Sequence, residues 1–185
     1  MPEHRCPVWI GYLIASPLRK LIHNPDKILL PYITNGMKVL DIGSAMGFFS
    51  IPMAKMVGAK GKVICIDVQQ KMLDELQKRS LRAGSFDNME FRLCSSISLG
   101  IYNIKDEIDF ALAFAVLHEV KNVSALFKEV NRALKKNGKI LIAEPQGHVN
   151  GSHFHKILNS AAENGFILLN QPKISKCWTA FIEKK

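Results

Sequence analysis

The chain alternates two hydrophobic periods. Short apolar runs at 39–42, 62–67, 89–94, 108–115 and 139–143 predict strands, and the segments between them, with helical spacing over 46–56, 69–83, 124–134 and 152–164, predict helices. Strand followed by helix, repeated in this way, predicts a parallel sheet covered on both faces, because parallel neighbours need a crossover long enough to hold a helix. The pattern changes at the end. Runs at 166–170 and 174–182 are separated only by Gln171-Pro172-Lys173, so they predict an antiparallel hairpin. Ahead of the first strand, Ser16-Pro17 and Asn24-Pro25 each place a capping side chain before a proline, which predicts two short helices over 16–23 and 24–30. The expectation is one α/β domain over 1–185: a helical extension at 1–36 and a doubly wound, mostly parallel seven-stranded core at 37–185.

Composition narrows the class. At 185 residues and 48% hydrophobic, the chain can bury one full core and has no room for a second large domain. Its net charge of +9 sits at the two ends, and residues 41–120 are close to neutral. Lys135 and Lys136 precede Asn137-Gly138 at the end of a predicted helix, where cations complement the helix dipole. No basic run is interleaved with aromatics in the manner that stacks single strands, so nucleic acid is disfavoured as a partner. The longest early apolar stretch, 8–15, is too short to span a bilayer, and Glu3, Arg5 and Pro7 make a poor signal-peptide start; the expected location is the cytoplasm. Cys6, Cys65, Cys94 and Cys177 lack C-x-x-C spacing and read as free thiols.

The candidate chemistry lies after the first strand. Asp41, Gly43 and Gly47 form a turn through which backbone can approach a ligand, since glycine has no Cβ and tolerates positive φ. Asp67 follows Gly47 by twenty residues at the end of the second predicted strand, where a dinucleotide-type fold places the carboxylate that holds a ribose. A pyrophosphate loop needs G-x-G-x-x-G, but positions 43, 45 and 48 hold Gly, Ala and Phe, so the loop suits a nucleoside better than a dinucleotide. The pattern D-x-G-x-x-x-G resembles the first motif of class I S-adenosylmethionine-dependent methyltransferases, E/D-x-G-x-G-x-G, with Ala45 in place of the middle glycine. Residues 109–120 and 133–145 resemble that family's fourth-strand and fifth-strand segments in the same order. The resemblance implies a Rossmann-like fold with S-adenosylmethionine as cofactor. It assigns Asp41, Gly43, Ser44, Ala45 and Gly47 to the methionine moiety, Asp67 to the ribose hydroxyls and Val68 to adenine. Ser95 and Ser96 stand where relatives often carry an adenine-binding aspartate, and Phe114 stands where they often carry a polar residue.

The segment Val116-Leu117-His118-Glu119-Val120 resembles that of small-molecule methyltransferases of the quinone, sterol and arsenite type, and the N/D-P-P-Y/F block of adenine-base methyltransferases is missing. A small or lipid-like acceptor is expected; an RNA or protein methyltransferase and a non-catalytic cofactor-binding domain are the alternatives. Glu119 and His118, just past the fourth strand, are the candidate bases, with a purely structural loop role as the competing reading. His148, His153 and His155 cluster loosely without Cys or carboxylate partners at regular spacing, so no metal site is assigned, and His148 is carried as an acceptor contact. In the N-terminal segment, Trp9, Tyr12 and Leu13 read either as a lid lining the acceptor pocket or as packing against the sheet, with peripheral membrane contact a third option.

Overall fold

The computed structural model describes residues 19 and 21–185. Its elements in chain order are α1 (Pro25–Leu29), β1 (Lys38–Ile42), α2 (Ser50–Val57), β2 (Lys62–Asp67), α3 (Gln70–Arg82), β3 (Met89–Leu93), β4 (Ile108–Phe114), α4 (Val123–Ala133), β5 (Leu134–Pro145), α5 (Gly151–Glu163), β6 (Phe166–Asn170) and β7 (Cys177–Lys184). The strands form one seven-stranded sheet in the order β3-β2-β1-β4-β5-β7-β6. All pairs are parallel except β5–β7 and β6–β7, so the expected Rossmann-like sheet with its reversed C-terminal hairpin is present.

Period-two alternation splits the core between the two faces. Leu40, Ile42, Ile64, Ala111, Ile140 and Ile182 pack with Phe127, Val130 and Ile157 of α4 and α5. Val39, Val63, Cys65, Phe110, Leu141 and Phe181 pack with Leu29 of α1, Met53 and Val57 of α2, and Leu73 and Leu76 of α3. The strand order reverses between β1 and β4, which leaves a crevice at the carboxyl ends of these strands where open α/β sheets bind ligands.

Several boundaries differ from the pattern-based expectation. The first crossover helix begins at Ser50 rather than 46, because Gly43, Ala45 and Gly47 all have positive φ and keep the chain in a loop until the last of them is passed. β5 spans Leu134–Pro145, wider than 139–143, with the Asn137 turn contained in it at φ 62. β7 starts at Cys177 rather than 174, since Lys176 at φ 57 and the turn bond from Cys177 N–H to Ile174 carbonyl occupy the preceding residues. The second N-terminal helix is α1, capped by Asn24, whose side chain accepts from Lys27 N–H at 3.2 Å. The first, at 16–23, falls largely outside the described residues, as do Trp9, Tyr12 and Leu13 entirely.

Candidate cofactor and acceptor site

The loop after β1 is built by backbone conformation. Gly43, Ala45 and Gly47 have φ of 74°, 44° and 85°, and the amides of Gly43 and Ser44 both donate to the Ile66 carbonyl at 2.9 Å, which ties the loop to the end of β2. Glycine is required at two of the three positions for reasons beyond φ. A Cβ at Gly43 would lie 2.6 Å from Val116 Cγ2, and one at Gly47 would overlap Leu76 Cδ1 of α3. Ala45 carries its methyl in the left-handed region, which costs about 1–2 kcal/mol for a non-glycine residue. Ala45→Gly recovers that strain and loses about 0.4–1 kcal/mol through greater freedom of the unfolded chain. The expected outcome is a melting temperature equal to or slightly above that of the unmodified protein, with cofactor affinity equal or improved; thermal denaturation and calorimetry measure both.

Two carboxylates flank this loop. Asp67 accepts from Ala45 N–H and Gln69 N–H, each at 2.9 Å and each on a different oxygen, and the carboxylate keeps acceptor capacity beyond these for a hydroxyl donor. Burial raises its pKa, opposed by the backbone donors Gln69, Ala45 and Val68. Asp41 lies on the α2 side of β1, 3% exposed, and accepts from the hydroxyl of Ser50 at the start of α2. Burial pushes its carboxyl up to about 7 despite that hydrogen bond, and the nearby charge of Asp67 adds to the rise. Ser50 was not anticipated from sequence.

The donor set fits a nucleoside bearing an ammonium group. Residues 41–50 contain no Lys or Arg to balance a pyrophosphate, whereas Asp41 and Asp67, when ionised, offer only acceptors and suit ammonium and hydroxyl donors. Ser44 Oγ is buried and has no hydrogen-bond partner among the described residues, leaving one polar atom of the loop unsatisfied. Val68 is half-buried beside Asp67. Ser95 and Ser96 are exposed, and Ser95 Oγ accepts from Ile97 N–H at 3.3 Å and Ser98 N–H at 3.2 Å, so that hydroxyl serves its own turn.

Phe114 closes β4 and is buried among aromatic rings: Phe49 at 4.5 Å and His23 at 5.2 Å between centroids. The Arg19 guanidinium stacks over this group, 4.6 Å from the Phe48 centroid and 5.4 Å from that of Phe114. Burial lowers the Arg19 pKa. Neither Arg19 nor His23 carried a signal in the sequence, because their contacts depend on how the N-terminal extension folds back.

Past Phe114 the chain turns through Ala115, φ 56, into a 3₁₀ turn at Leu117–Glu119. The structure brings His118, Glu119 and His148 together here: the two imidazoles meet edge-on at 5.4 Å, and Glu119 Oε1 lies 3.9 Å from His118 Nε2. It also adds Glu144, from the fifth-strand segment, to which the sequence pattern assigns no role. Glu144 is fully buried; Oε1 accepts from Val116 N–H at 3.1 Å and Leu117 N–H at 2.8 Å, while Oε2 pairs with His118 Nδ1 at 2.5 Å. That pairing raises the His118 pKa against the opposing effect of burial, and burial raises that of Glu119. A signal was present in the sequence, since an acidic residue ending an apolar strand needs a buried partner.

The structure has two open cavities of about 450 and 430 Å³. The first is lined by Gln146, Phe154, Ile174 and Trp178 at the β5–β7 end, the second by Leu21, Ile28 and Ile174. Neither includes the Gly43–Gly47 loop, and the loop is identified by its hydrogen-bonding geometry rather than by cavity size. Among the described residues no group of three His, Cys, Asp or Glu could hold a metal ion, and no helix is long and apolar enough to cross a membrane.

Fold order, a positive-φ loop after β1 and an acidic residue ending β2 are together the features of the class I S-adenosylmethionine-dependent methyltransferase fold. The chain belongs to the methyltransferase domain family, whose model matches residues 33–184. It is 26% identical over 136 residues to the ubiquinone/menaquinone biosynthesis C-methyltransferase UbiE of Rickettsia typhi, covering 71% of this chain and 53% of that protein. With UbiE of Cellvibrio japonicus the identity is 31% over 113 residues, covering 60% and 44%. The chain thus spans about half the length of the curated relatives it matches. In fold it is similar to a SAM-dependent methyltransferase from Aquifex aeolicus, at TM-score 0.87 and 22% identity over 98% of this chain and all of that one. The [4+2]-cyclase SpnF shares the fold at TM-score 0.67 and 19% identity, over 80% of this chain and 59% of that one, so chemistry has to be argued from the site.

Proposed function

We propose that this protein transfers a methyl group from S-adenosylmethionine to a small, lipid-like acceptor of the quinone class, in the cytoplasm. The observation that carries the cofactor assignment is the pair of carboxylates, Asp41 and Asp67, set on either side of a loop with three positive φ angles. The quinone-like acceptor is supported by the UbiE relatives, and the location by the free Cys65, Cys94 and Cys177. The cofactor supplies a methyl group already activated on a sulfonium centre. Asp67 binds the ribose, the loop amides and Ser44 border the methionine moiety, Phe114 and Phe49 exclude water, and His118 with Glu119 stands at the acceptor side. Calorimetry with S-adenosylmethionine, S-adenosylhomocysteine and NAD tests the cofactor; binding of NAD alone overturns the reading. Incubation with radiolabelled S-adenosylmethionine and a reduced short-chain quinone tests the acceptor, expected to gain a ring methyl.

Asp41 gives this proposal a pH signature. Its folded pKa, raised to about 7, means that the free protein keeps Asp41 protonated in mild acid. An ammonium group beside it favours the ionised form, so binding of S-adenosylhomocysteine releases a proton and the affinity rises with pH until it levels off above about pH 7. Stability of the free protein moves the opposite way: the contribution of a buried neutral Asp41 is fully present below the ordinary carboxylate range and lost as pH rises through about 7. Asp41→Asn removes both slopes. Calorimetry and thermal melts from about pH 5.5 to about pH 8 read them, and an Asp41-independent affinity profile contradicts the assignment.

A further inference from the structure

We propose that Glu144 is a positioning residue that fixes His118 with its proton on Nδ1, leaving Nε2 as the acceptor for the proton released on methylation. This deepens the proposed function and rests on it. Glu144 is fully buried, and its carboxylate has three donors arranged on it: the amides of Val116 and Leu117 on Oε1, and the His118 ring on Oε2. A carboxylate offers only acceptor positions, so the ring nitrogen facing it, Nδ1, carries the hydrogen. The other nitrogen, Nε2, points away from Glu144 toward Glu119.

The same carboxylate reaches the cofactor loop. Its backbone bonds hold Val116 and Leu117, and the Val116 side chain stands against the position of a Cβ on Gly43, which would lie 2.6 Å from Cγ2. One buried side chain on β5 therefore sets both the acceptor-side imidazole and the wall behind the first glycine of the loop. The proton balance is simple. In ring methylation the reduced quinone's π electrons form the bond to the methyl carbon as the carbon–sulfur bond breaks onto sulfur; the C–H pair at that ring carbon then restores aromaticity, and the proton released moves to His118 Nε2. The titratable groups facing that imidazole are Glu144 from β5, Glu119 from its own turn and His148 from the segment after β5. Glu144 compensates the imidazolium so formed, and Glu119, 3.9 Å from Nε2, is placed to pass the proton on.

Glu144→Gln separates this role from simple support. Glutamine fills the same space and still accepts from the two backbone amides, but its NH₂ group can donate to Nδ1 and drive the hydrogen to Nε2. Nitrogen-15 spectra of His118 are the readout. In the unmodified protein they are expected to show hydrogen on Nδ1 and a pKa above the ordinary histidine value; in Glu144→Gln, hydrogen on Nε2 and a lower pKa. Affinity for S-adenosylhomocysteine should stay within about twofold, while methyl transfer to the reduced quinone falls about a hundredfold or more, the usual weight of a general base. An Nε2–H tautomer in the unmodified protein overturns the proposal whether or not the variant folds, as does a His118 pKa unmoved in a folded Glu144→Gln. These spectra need no acceptor, so inactivity toward the quinone with the expected tautomers counts against the acceptor assignment alone.

Discussion

Gly47→Val is expected to leave no measurable affinity for S-adenosylmethionine or S-adenosylhomocysteine, and to destabilise the fold as well. Three effects add. Gly47 sits at φ 85, where a β-branched residue is strained by about 1–3 kcal/mol. Its Cβ would overlap Leu76 Cδ1 and approach Ile51 Cδ1 and Cγ1 at 3.3 Å. Leu76 is fully buried between α3 and the sheet, so it has no solvent-facing rotamer to escape into, and forcing extra carbons into such a packed site costs about 1–3 kcal/mol more. Relief comes by moving the loop, which also carries the Ala45 amide away from Asp67. The collision is thus with α3, not with the ligand. Gly47→Ala keeps the φ strain and the first overlap without the branch, so it should lie between the two in both melting temperature and dissociation constant. Normal binding by a folded Gly47→Val protein would mean that the loop is not where the cofactor lies.

Which parts of this site can be read from sequence depends on whether a residue's partner is local. The loop, Asp67 and the strand order are legible because glycine placement and strand–helix alternation are set over a few neighbouring residues. The boundary of α2 is not, since Ala45 gives no outward sign that it adopts positive φ; only the tie of Gly43 and Ser44 to Ile66 across to β2 imposes it. The same holds for β5 and β7, whose lengths are fixed by pairing Lys139 through Pro145 with Glu183 through Cys177, a register that no local pattern contains. Glu144 is the instructive omission. In sequence it ends an apolar run and resembles a strand terminus; in the fold it is the common acceptor for a turn that lies 26 to 28 residues earlier. The Arg19 contacts with Phe48 and Phe114 likewise join segments distant in the chain.

Asp67→Ala should weaken S-adenosylhomocysteine by ~1.5–3 kcal/mol, roughly ten- to a hundredfold, through the loss of charge-assisted hydrogen bonds to the ribose. The geometry adds a second consequence, because the same carboxylate holds the Ala45 amide at 2.9 Å and the Gln69 amide at 2.9 Å. Alanine removes both the proposed ribose acceptor and the anchor of the loop, whereas Asp67→Asn keeps one acceptor oxygen and should fall between alanine and the unmodified protein. The two contributions separate with a 2′-deoxy analogue of the ligand. If Asp67 bonds the ribose, the unmodified protein loses affinity on removal of the 2′-hydroxyl while Asp67→Ala is nearly indifferent to it. If Asp67 serves only the loop, both proteins respond to the deoxy analogue alike, and calorimetry on the four combinations decides between them. An unchanged dissociation constant in Asp67→Ala contradicts the ribose role, and an unchanged melting temperature contradicts the loop role, since an unpaired Ala45 amide would cost about 1–3 kcal/mol of stability.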